Sequence, residues 1–362
     1  MEAVEYARKK NDPNYKRLCQ ALWVVFGNPK SLNKSFLIED DQKLTEAHRE
    51  TGIRVDLESI RRVYNIIFDL EVEKVKKMLD NVMDMYKAEL QNQRAFRVKE
   101  SLNHFVTLLE NPLLSSPEFL NSSPKLLKSI SGLPVAQKET LCRWYSYYRT
   151  EELQQLLSSL HVIIILQLLQ SEEGEHSQSY IAQSDSTVTS ATQVMNILFF
   201  ANLLKAKREG NMKPIGKKLN SSALKKKPGF LQSEDNVYEQ LLARLEVHPA
   251  LVIKTPVPLS EFINDELNER VSMFVDYERL RRIVEGDNLF AFLEYPFILT
   301  TTNKTEKLFR DNILSMYHEQ RMAVMHSIFT GVPDLPFLII RVNRHDIVSE
   351  ALVQVSVTSF PA

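Results

Sequence analysis

The chain has little of what several classes of protein require. Its 362 residues contain two cysteines, Cys19 and Cys142, which cannot form a disulfide framework or a cysteine-rich zinc module. Its nine glycines are too few for the glycine-rich loops that hold nucleotide phosphates. Charges balance, with 45 Lys and Arg against 46 Asp and Glu, so nothing draws the whole chain to nucleic acid or to a membrane. The composition predicts a protein of a reducing compartment.

Long apolar runs are also scarce. The most apolar run, residues 162–169, is much shorter than the roughly 20 residues that a helix needs to cross a bilayer. The first ten residues lack the apolar core of a secretory signal. We therefore expect a cytoplasmic protein with no membrane partner.

Helical spacing of apolar residues dominates the first two hundred residues. Asp56 is a typical N-cap, Asn111-Pro112 is a helix stop, and residues 151–169 are apolar nearly all round, which favours the centre of a bundle. The sequence predicts a mainly α protein. Its parts would be a helical bundle at 1–170, a flexible Ser-, Glu- and Gln-rich linker at 171–187 and a helix at 188–204 that packs on the bundle.

A basic segment follows. Residues 205–227 hold nine Lys or Arg against the single acid Glu209, and such runs are most often solvated linkers. We predict a disordered loop at 205–235, then a connecting helix and linker at 236–257. An importin signal remains an alternative and would add a nuclear location. Nucleic-acid binding is not favoured, because only Phe230 lies near the lysines.

The residue pattern changes after Pro249. The segments Leu289–Thr300 and Phe337–Val342 are rich in aromatic and branched residues between turn signals, which predicts strands. Pro296 would then lie at a sheet edge or a bulge. Between them, apolar spacing predicts a long helix that ends at Gly331. These elements together favour an α+β piece after the bundle.

Three blocks in this region, in this order and spacing, resemble the start of a HECT-type ubiquitin-ligase domain, in the branch that holds the ligase linked to Angelman syndrome. The family pattern is carried by Phe262, Ile263, Leu267 and Asn268, then Phe290, Phe292, Pro296, Phe297, Ile298 and Leu299, then Leu338, Arg341, Val342, Arg344, Ile347, Ala351 and Leu352. Asn343 departs from a usual arginine, and Ser349-Glu350 from an acidic pair. Residues 55–64, 116–120 and 133–136 resemble the helical region of the same ligases.

The resemblance implies an incomplete HECT domain at 258–352, with its larger lobe begun, and a divergent tail at 353–362. HECT ligases pass ubiquitin from a conjugating enzyme to a cysteine thiolate and then to a substrate lysine. Neither Cys19 nor Cys142 has the family's catalytic context, and both lie on predicted helices. We expect both to be structural and buried, so no catalytic residue is assigned in this chain, which alone should be inactive.

No cofactor or metal site is expected either. His318 and His326 lie eight residues apart, which is not a zinc-binding spacing, and His345-Asp346 has no nucleophile nearby. The expected partners are substrate or regulator proteins that bind the helical region, with the conjugating enzyme and ubiquitin bound only by a full-length parent. The alternative is a non-catalytic scaffold or competitor isoform. Residues after Pro258 are expected to be less protected from hydrogen exchange than the bundle.

Overall fold

The computed structural model describes residues 13–26, 29–69, 102–115, 123–172, 182–213 and 236–330. The α-helices are α1 (Pro13–Phe26), α2 (Pro29–Ser35), α3 (Glu46–Thr51), α4 (Leu57–Asp69), α5 (Leu102–Leu109), α6 (Ser123–Ser131), α7 (Val135–Tyr145), α8 (Thr150–Glu172), α9 (Ser186–Arg208), α10 (Val237–Leu245), α11 (Asp265–Arg270), α12 (Met273–Val284) and α13 (Thr301–Thr330). Within these ranges there is no strand, only two isolated β-bridges. The prediction of a mainly α protein is confirmed.

The chain divides into two compact units. The first comprises residues 1–226 and 231–307, and the second comprises 227–230 and 308–362. Of the second unit, the structure describes only residues 308–330, the greater part of α13. Residues 258–307 belong to the same compact unit as the helices before them, and the predicted start of an incomplete HECT domain at residue 258 stays a prediction.

The centre of the first unit is α9. Of its 23 residues, 17 are buried, and it contacts α6, α7, α8 and α10. The sequence interpretation placed 151–169 at the centre and the later helix on its outside, and this order is wrong. In α8 one face carries Leu153, Leu157 and Ile164 into the core, whereas Gln155 and Ser158 are exposed. Glutamine and serine on one face keep α8 at the surface.

Both long helices have the length and composition of a membrane span. In α8 the apolar window lies within Thr150–Ser171 and is 33% buried inside the protein, whereas in α9 it is 89% buried. The sequence interpretation considered only residues 162–169 and missed both. The burial of α9 by neighbouring helices shows that its apolar surface already has protein partners.

Both ends of the predicted flexible linker at 171–187 are ordered, and its residues 173–181 lie outside the described residues. Helix α8 continues to Glu172, and a 3₁₀ turn at Ala182–Ser184 leads into α9. The Asp185 side chain accepts hydrogen bonds from the backbone N–H groups of Thr187 (2.8 Å) and Val188 (3.1 Å). This N-cap satisfies two of the free donors at the start of α9 and sets its first residue at Ser186.

The first nine residues of the predicted disordered loop at 205–235 are ordered. Helix α9 continues to Arg208, and Met212 forms an antiparallel bridge with Val252. The Nζ of Lys207 donates to the carbonyl oxygens of Leu245 and Glu246, so lysine here stabilises the C-terminal end of α10. Residues 214–235 of the predicted loop lie outside the described residues. So do the divergent tail at 353–362 and the predicted strand Phe337–Val342.

The predicted strand Leu289–Thr300 is wrong. The segment forms two 3₁₀ turns, Phe292–Glu294 and Pro296–Ile298, and Pro296 begins the second of them rather than a bulge. The Asp276 carboxylate on α12 accepts the backbone N–H groups of Phe292 (2.9 Å) and Leu293 (2.8 Å). Burial raises the pKa of Asp276 to about 6, although those two donors favour the ionised form. The Asp276 side chain of α12 thus accepts the N–H groups that a neighbouring strand would accept in a sheet.

Helix α13 is the long helix predicted between the two strands, and its end at Thr330 agrees with the stop expected at Gly331. Most of its large apolar side chains after Leu308 are exposed, among them Phe309 and Phe329. By contrast, Phe262 and Leu299 are fully buried in the first unit. The expectation of weak protection after Pro258 stays a prediction; among the described residues after Pro258, large apolar side chains are exposed mainly on α13.

Candidate functional site

The cysteines come first, because the predicted family chemistry needs a thiolate. Cys142 lies in α7 and is fully buried. Burial raises the pKa of its thiol well above the ordinary range, and the Glu139 carboxylate adds to that effect. Because the thiolate is the nucleophile of cysteine chemistry, Cys142 is a poor nucleophile where it stands. Cys19 lies in α1, and its side chain falls outside the described residues.

A cleft of about 450 Å³ opens on the first unit between residues 38–61 and residues 144–152. We call it the α3–α7 cleft. It is lined by Ile38, Lys43, Thr45, Ala47, His48, Val55, Asp56, Leu57, Glu58, Arg61, Trp144, Tyr147, Tyr148, Arg149 and Glu152. Its size falls within the range of pockets that bind small molecules or a few side chains of a partner.

One wall of the cleft depends on a short, well-capped helix. In α3 the backbone N–H of Thr45 donates to Nδ1 of His48 at 3.0 Å, and Nε2 of His48 donates to the carbonyl oxygen of Val55 at 3.1 Å. The ring of His48 meets that of Trp144 edge-on, 5.2 Å between centroids. Gly52 ends α3 at φ 74°, in the left-handed region that favours glycine. Both nitrogens of His48 are thus engaged in structure.

The floor of the cleft is an ion-pair hub centred on Arg61 of α4. Its guanidinium donates to both carboxylate oxygens of Glu110 (2.6 and 3.3 Å) and to Glu152 (2.6 Å). It lies 5.1 Å from the ring centroid of Tyr148, whose hydroxyl donates to Glu110 at 2.7 Å. Burial works against the charged guanidinium, but the hydrogen bond to Glu110 and the charges of Glu110 and Glu152 together outweigh it and raise the pKa of Arg61. Arg61 therefore stays charged.

The hub separates the α3–α7 cleft from a second cavity of about 140 Å³, which Arg61, Glu110 and Glu152 also line. Although burial alone would raise the pKa of Glu152, the bonds from the backbone and side chain of Arg149 lower it. The carboxylate is therefore ionised and paired from two sides. Removal of Arg61 would leave the carboxylates of Glu110, which lines the second cavity, and Glu152, which lines both cavities, without this partner.

A second ion-pair network, centred on Glu50, lies beside Tyr147. Glu50 accepts hydrogen bonds from the Tyr147 hydroxyl (2.6 Å), Arg143 (3.1 Å) and Arg208 (2.5 Å). The Arg208 guanidinium carbon lies 3.7 Å from the Tyr147 ring centroid, close enough for a cation–π contact. These bonds join α3, α7 and α9, so three helices hold the Glu50 network together.

The first two blocks that resemble the HECT family lie in the core. Phe262 and Phe297 contact Phe199 of α9, with ring centroids 5.5 and 4.9 Å apart. Asn268 accepts the backbone N–H of Thr300 (2.8 Å) and donates to the carbonyl oxygen of Ile298 (2.8 Å). These positions build the attachment of residues 258–300 to the bundle. They present no catalytic group.

Several residues that were singled out in the sequence belong to no candidate site among the described residues. His318 is exposed on α13, and no group of three or more metal-ligating side chains occurs in the ranges that the structure describes. The third family-like block, with Asn343, Ser349-Glu350 and His345-Asp346, lies outside the described residues, as do residues 116–120. Residues 133–136 form the turn into α7.

Sequence reasoning missed the hub, although one signal was present. Residues 55–64 were singled out for their resemblance to ligase helices, and this stretch contributes Val55, Asp56, Leu57, Glu58 and Arg61 to the cleft. Glu110 and Glu152 lie 49 and 91 residues from Arg61. No spacing rule joins residues so far apart.

Distant relatives were found among known proteins. No family model matches the chain. It is 21% identical over 97% of its length to "Probable E3 ubiquitin-protein ligase HECTD2" of Homo sapiens, 20% over 94% to the Mus musculus protein of that name, and 21% over 94% to "Probable E3 ubiquitin-protein ligase mug30" of Schizosaccharomyces pombe. The chain spans 35–38% of the length of these relatives. It is a distant homologue of proteins named as probable E3 ubiquitin-protein ligases.

Proposed function

We propose that this chain is the partner-recruiting helical region of a HECT-type ubiquitin ligase. The observation that carries the proposal is the alignment with probable E3 ligases over nearly the whole chain. The whole protein would transfer ubiquitin through a cysteine thioester to substrate lysines. The three ordered blocks after Pro258 support a place in the branch of the ligase linked to Angelman syndrome. Substrate or regulator proteins would bind the helical region, and the conjugating enzyme and ubiquitin would bind elsewhere in the parent.

The α3–α7 cleft is the proposed recruiting site. Trp144, Tyr147 and Tyr148 give it aromatic walls, and Lys43 and Glu58 give its rim exposed charges of both signs. Aromatic side chains inside a charged rim are common in protein-binding sites; Tyr147 is the partly exposed ring here, and Trp144 and Tyr148 support it from the core. The occupant would be a protein segment that inserts one or two apolar side chains between α3 and α7.

The rim charges allow a test of recruitment. The chain is fused to a biotin-labelling enzyme in cells, and the proteins that become biotinylated are identified. We expect the double change Lys43→Glu with Glu58→Lys to abolish the labelling of a set of proteins that the wild-type fusion labels. The matched control reverses an exposed lysine and a first-turn acid outside the cleft, Lys128→Glu with Glu151→Lys, and should label as wild type does. An unchanged set in the rim variant would exclude the cleft as the recruiting site.

The same experiment separates the ligase from its alternative. Ubiquitin remnants on lysines of the lost proteins are quantified before and after the gene that encodes the chain is silenced. Silencing a ligase lowers the ubiquitination of these proteins, whereas silencing a non-catalytic scaffold or competitor, which occupies the partners without modifying them, raises it. The rim variant introduced into the same gene should have the same effect as silencing.

The catalytic step gives a separate prediction. In thioester transfer the acceptor thiolate attacks the carbonyl that joins ubiquitin to the conjugating enzyme, and the enzyme's own thiolate leaves. Because the thiol of Cys142 is buried and its pKa is raised, we expect Cys142 to form no reductant-sensitive ubiquitin adduct when the purified chain is mixed with activating enzyme, conjugating enzyme and ATP. Cys142→Ser should behave identically. An adduct in the wild type that Cys142→Ser abolishes would contradict this prediction.

A further inference from the structure

Helix α8 is joined to the segment 259–270 through the imidazole of His161. Its Nε2 lies 2.9 Å from the carbonyl oxygen of Glu261, to which it can only donate, and its Nδ1 lies 2.9 Å from the side-chain Nδ2 of Asn264. An amide NH₂ can only donate, so Nδ1 must accept. Both bonds exist together only when the ring is neutral with its proton on Nε2.

The orientation of Asn264 is fixed independently of His161. Its Oδ1 accepts the backbone N–H of Leu267 at 2.9 Å, which makes Asn264 the N-cap of α11. If the amide turned over to offer oxygen to His161, its NH₂ would face the Leu267 N–H. Asn264 is 3% exposed, so water cannot readily replace either bond.

We propose that His161 is a pH-sensitive latch between α8 and residues 259–270. Protonation of Nδ1 places an N–H against the NH₂ of Asn264, and Asn264 must then give up either the bond to His161 or the cap of α11. Either loss loosens the segment from α8. The backbone carbonyl oxygen of Asn264 accepts a hydrogen bond from the Asn268 side chain, which also donates to the carbonyl oxygen of Ile298. The loosening therefore extends toward residues 296–300.

The charged groups that face the imidazole are few. On α11 the Asp265 carboxylate attracts a proton to the ring, and the Glu261 carboxylate is engaged by Gln154 of α8 at 3.0 and 3.1 Å. Burial nevertheless lowers the pKa of His161. With a folded pKa below the unfolded value, the contribution of His161 to stability is complete above the unfolded pKa and is lost as the pH falls below it.

The test is hydrogen exchange of the full chain at pH 7.5 and pH 5.5, corrected for intrinsic rates. We expect peptides from 259–270 to open more often at pH 5.5, by up to about tenfold, because pH 5.5 lies one unit below the ordinary imidazole pKa of 6.5. Peptides from α6 should show no such change. The imidazole pKa, read from NMR signals that disappear in His161→Gln, should lie below the ordinary value.

Two variants distinguish a latch from general acid loosening. Asn264→Asp keeps an acceptor for the Leu267 N–H and offers the second oxygen to protonated His161, so it should raise the His161 pKa and abolish the acid opening. His161→Gln should make 259–270 insensitive to pH, whereas His318→Gln on α13 should leave the acid opening unchanged. The proposal is overturned if His161→Gln retains the acid opening, or if Asn264→Asp leaves the His161 pKa unchanged.

Discussion

Replacement of Arg61 by Ala is expected to destabilise the first unit by about 3 kcal/mol. The substitution removes the shared partner of Glu110 and Glu152, whose side chains are 7% and 15% exposed. An ionised carboxylate that loses its partner inside a protein loses most of its compensation for desolvation. We place the loss at the low end of the range for buried pairs, because the Arg61 side chain is 27% exposed and because Tyr148 and Arg149 still donate to the two carboxylates.

The adjacent arginine supplies the control for this substitution. Arg62 is exposed on the same helix, so Arg62→Ala should change the free energy of unfolding by no more than about 0.5 kcal/mol. Chemical denaturation at neutral pH measures both variants. Equal effects of the two substitutions would show that the hub contributes nothing beyond an ordinary surface charge.

The pH dependence of the Arg61→Ala effect is a sharper measure of the hub. In wild type the pKa of Glu152 is lowered partly by the charge of Arg61; this contribution is absent from the variant, so acid should reduce the difference from wild type. Double replacement of Glu110 and Glu152 by Gln in the Arg61→Ala background should recover part of the loss at pH 7. If the recovery is absent, lost packing of the arginine stem rather than unpaired charge explains the destabilisation.

Local helix signals were predictable from the sequence because they act over a few residues. Asp56 was expected to begin a helix, and it accepts the backbone N–H of Ser59 at 3.1 Å at the start of α4. Asn111-Pro112 was expected to end one, and α5 ends at Leu109. Caps and prolines act through bonds within one turn, so a reader of the sequence sees both partners at once.

The wrong strand at Leu289–Thr300 shows where such local reading fails. Aromatic and branched residues favour a half-buried extended chain, and nothing within the segment says what will accept its N–H groups. Asp276 accepts two of them from α12, 16 and 17 residues before. A carboxylate that replaces a neighbouring strand is a tertiary feature, and the residue pattern of the segment is the same in either case.

The centre of the protein was misplaced for a related reason. Helix α9 carries Thr192 and Asn202, which read as surface residues, while α8 has the longer apolar run. In the structure the Thr192 hydroxyl donates to the Val188 carbonyl oxygen, and the side chain of Asn202 both donates to and accepts from the backbone of Val257. Polar side chains that find partners can be buried, and those partners lie up to 55 residues away. The hub at Arg61 escaped prediction for the same reason.

Phe199 of α9 is the residue whose loss should most weaken the attachment of the family-like blocks. It is 3% exposed and contacts the rings of Phe200, Tyr238, Phe262 and Phe297. Phe262 and Phe297 come from the two blocks that resemble a HECT domain, whereas Phe199 and Phe200 come from the central helix. The aromatic cluster is therefore the joint between residues 258–300 and the bundle.

We expect Phe199→Ala to cost about 3–5 kcal/mol, because it removes buried apolar surface and leaves a cavity that rigid helices cannot close. The matched control is Phe274→Ala on α12, where the phenylalanine is 59% exposed, and its cost should stay below about 1 kcal/mol. Thermal or denaturant unfolding of the full chain measures the total loss in each variant.

The position of the loss matters more than its size. If Phe199 joins two parts of one body, hydrogen exchange in Phe199→Ala should rise first in peptides covering 259–270 and 290–299, with α3 and α4 protected as in wild type. Loss of protection spread evenly over the first unit would instead show that these residues and the bundle unfold as one cooperative body. Either pattern would establish whether the segment that resembles the start of a HECT domain can detach from the helical region under native conditions.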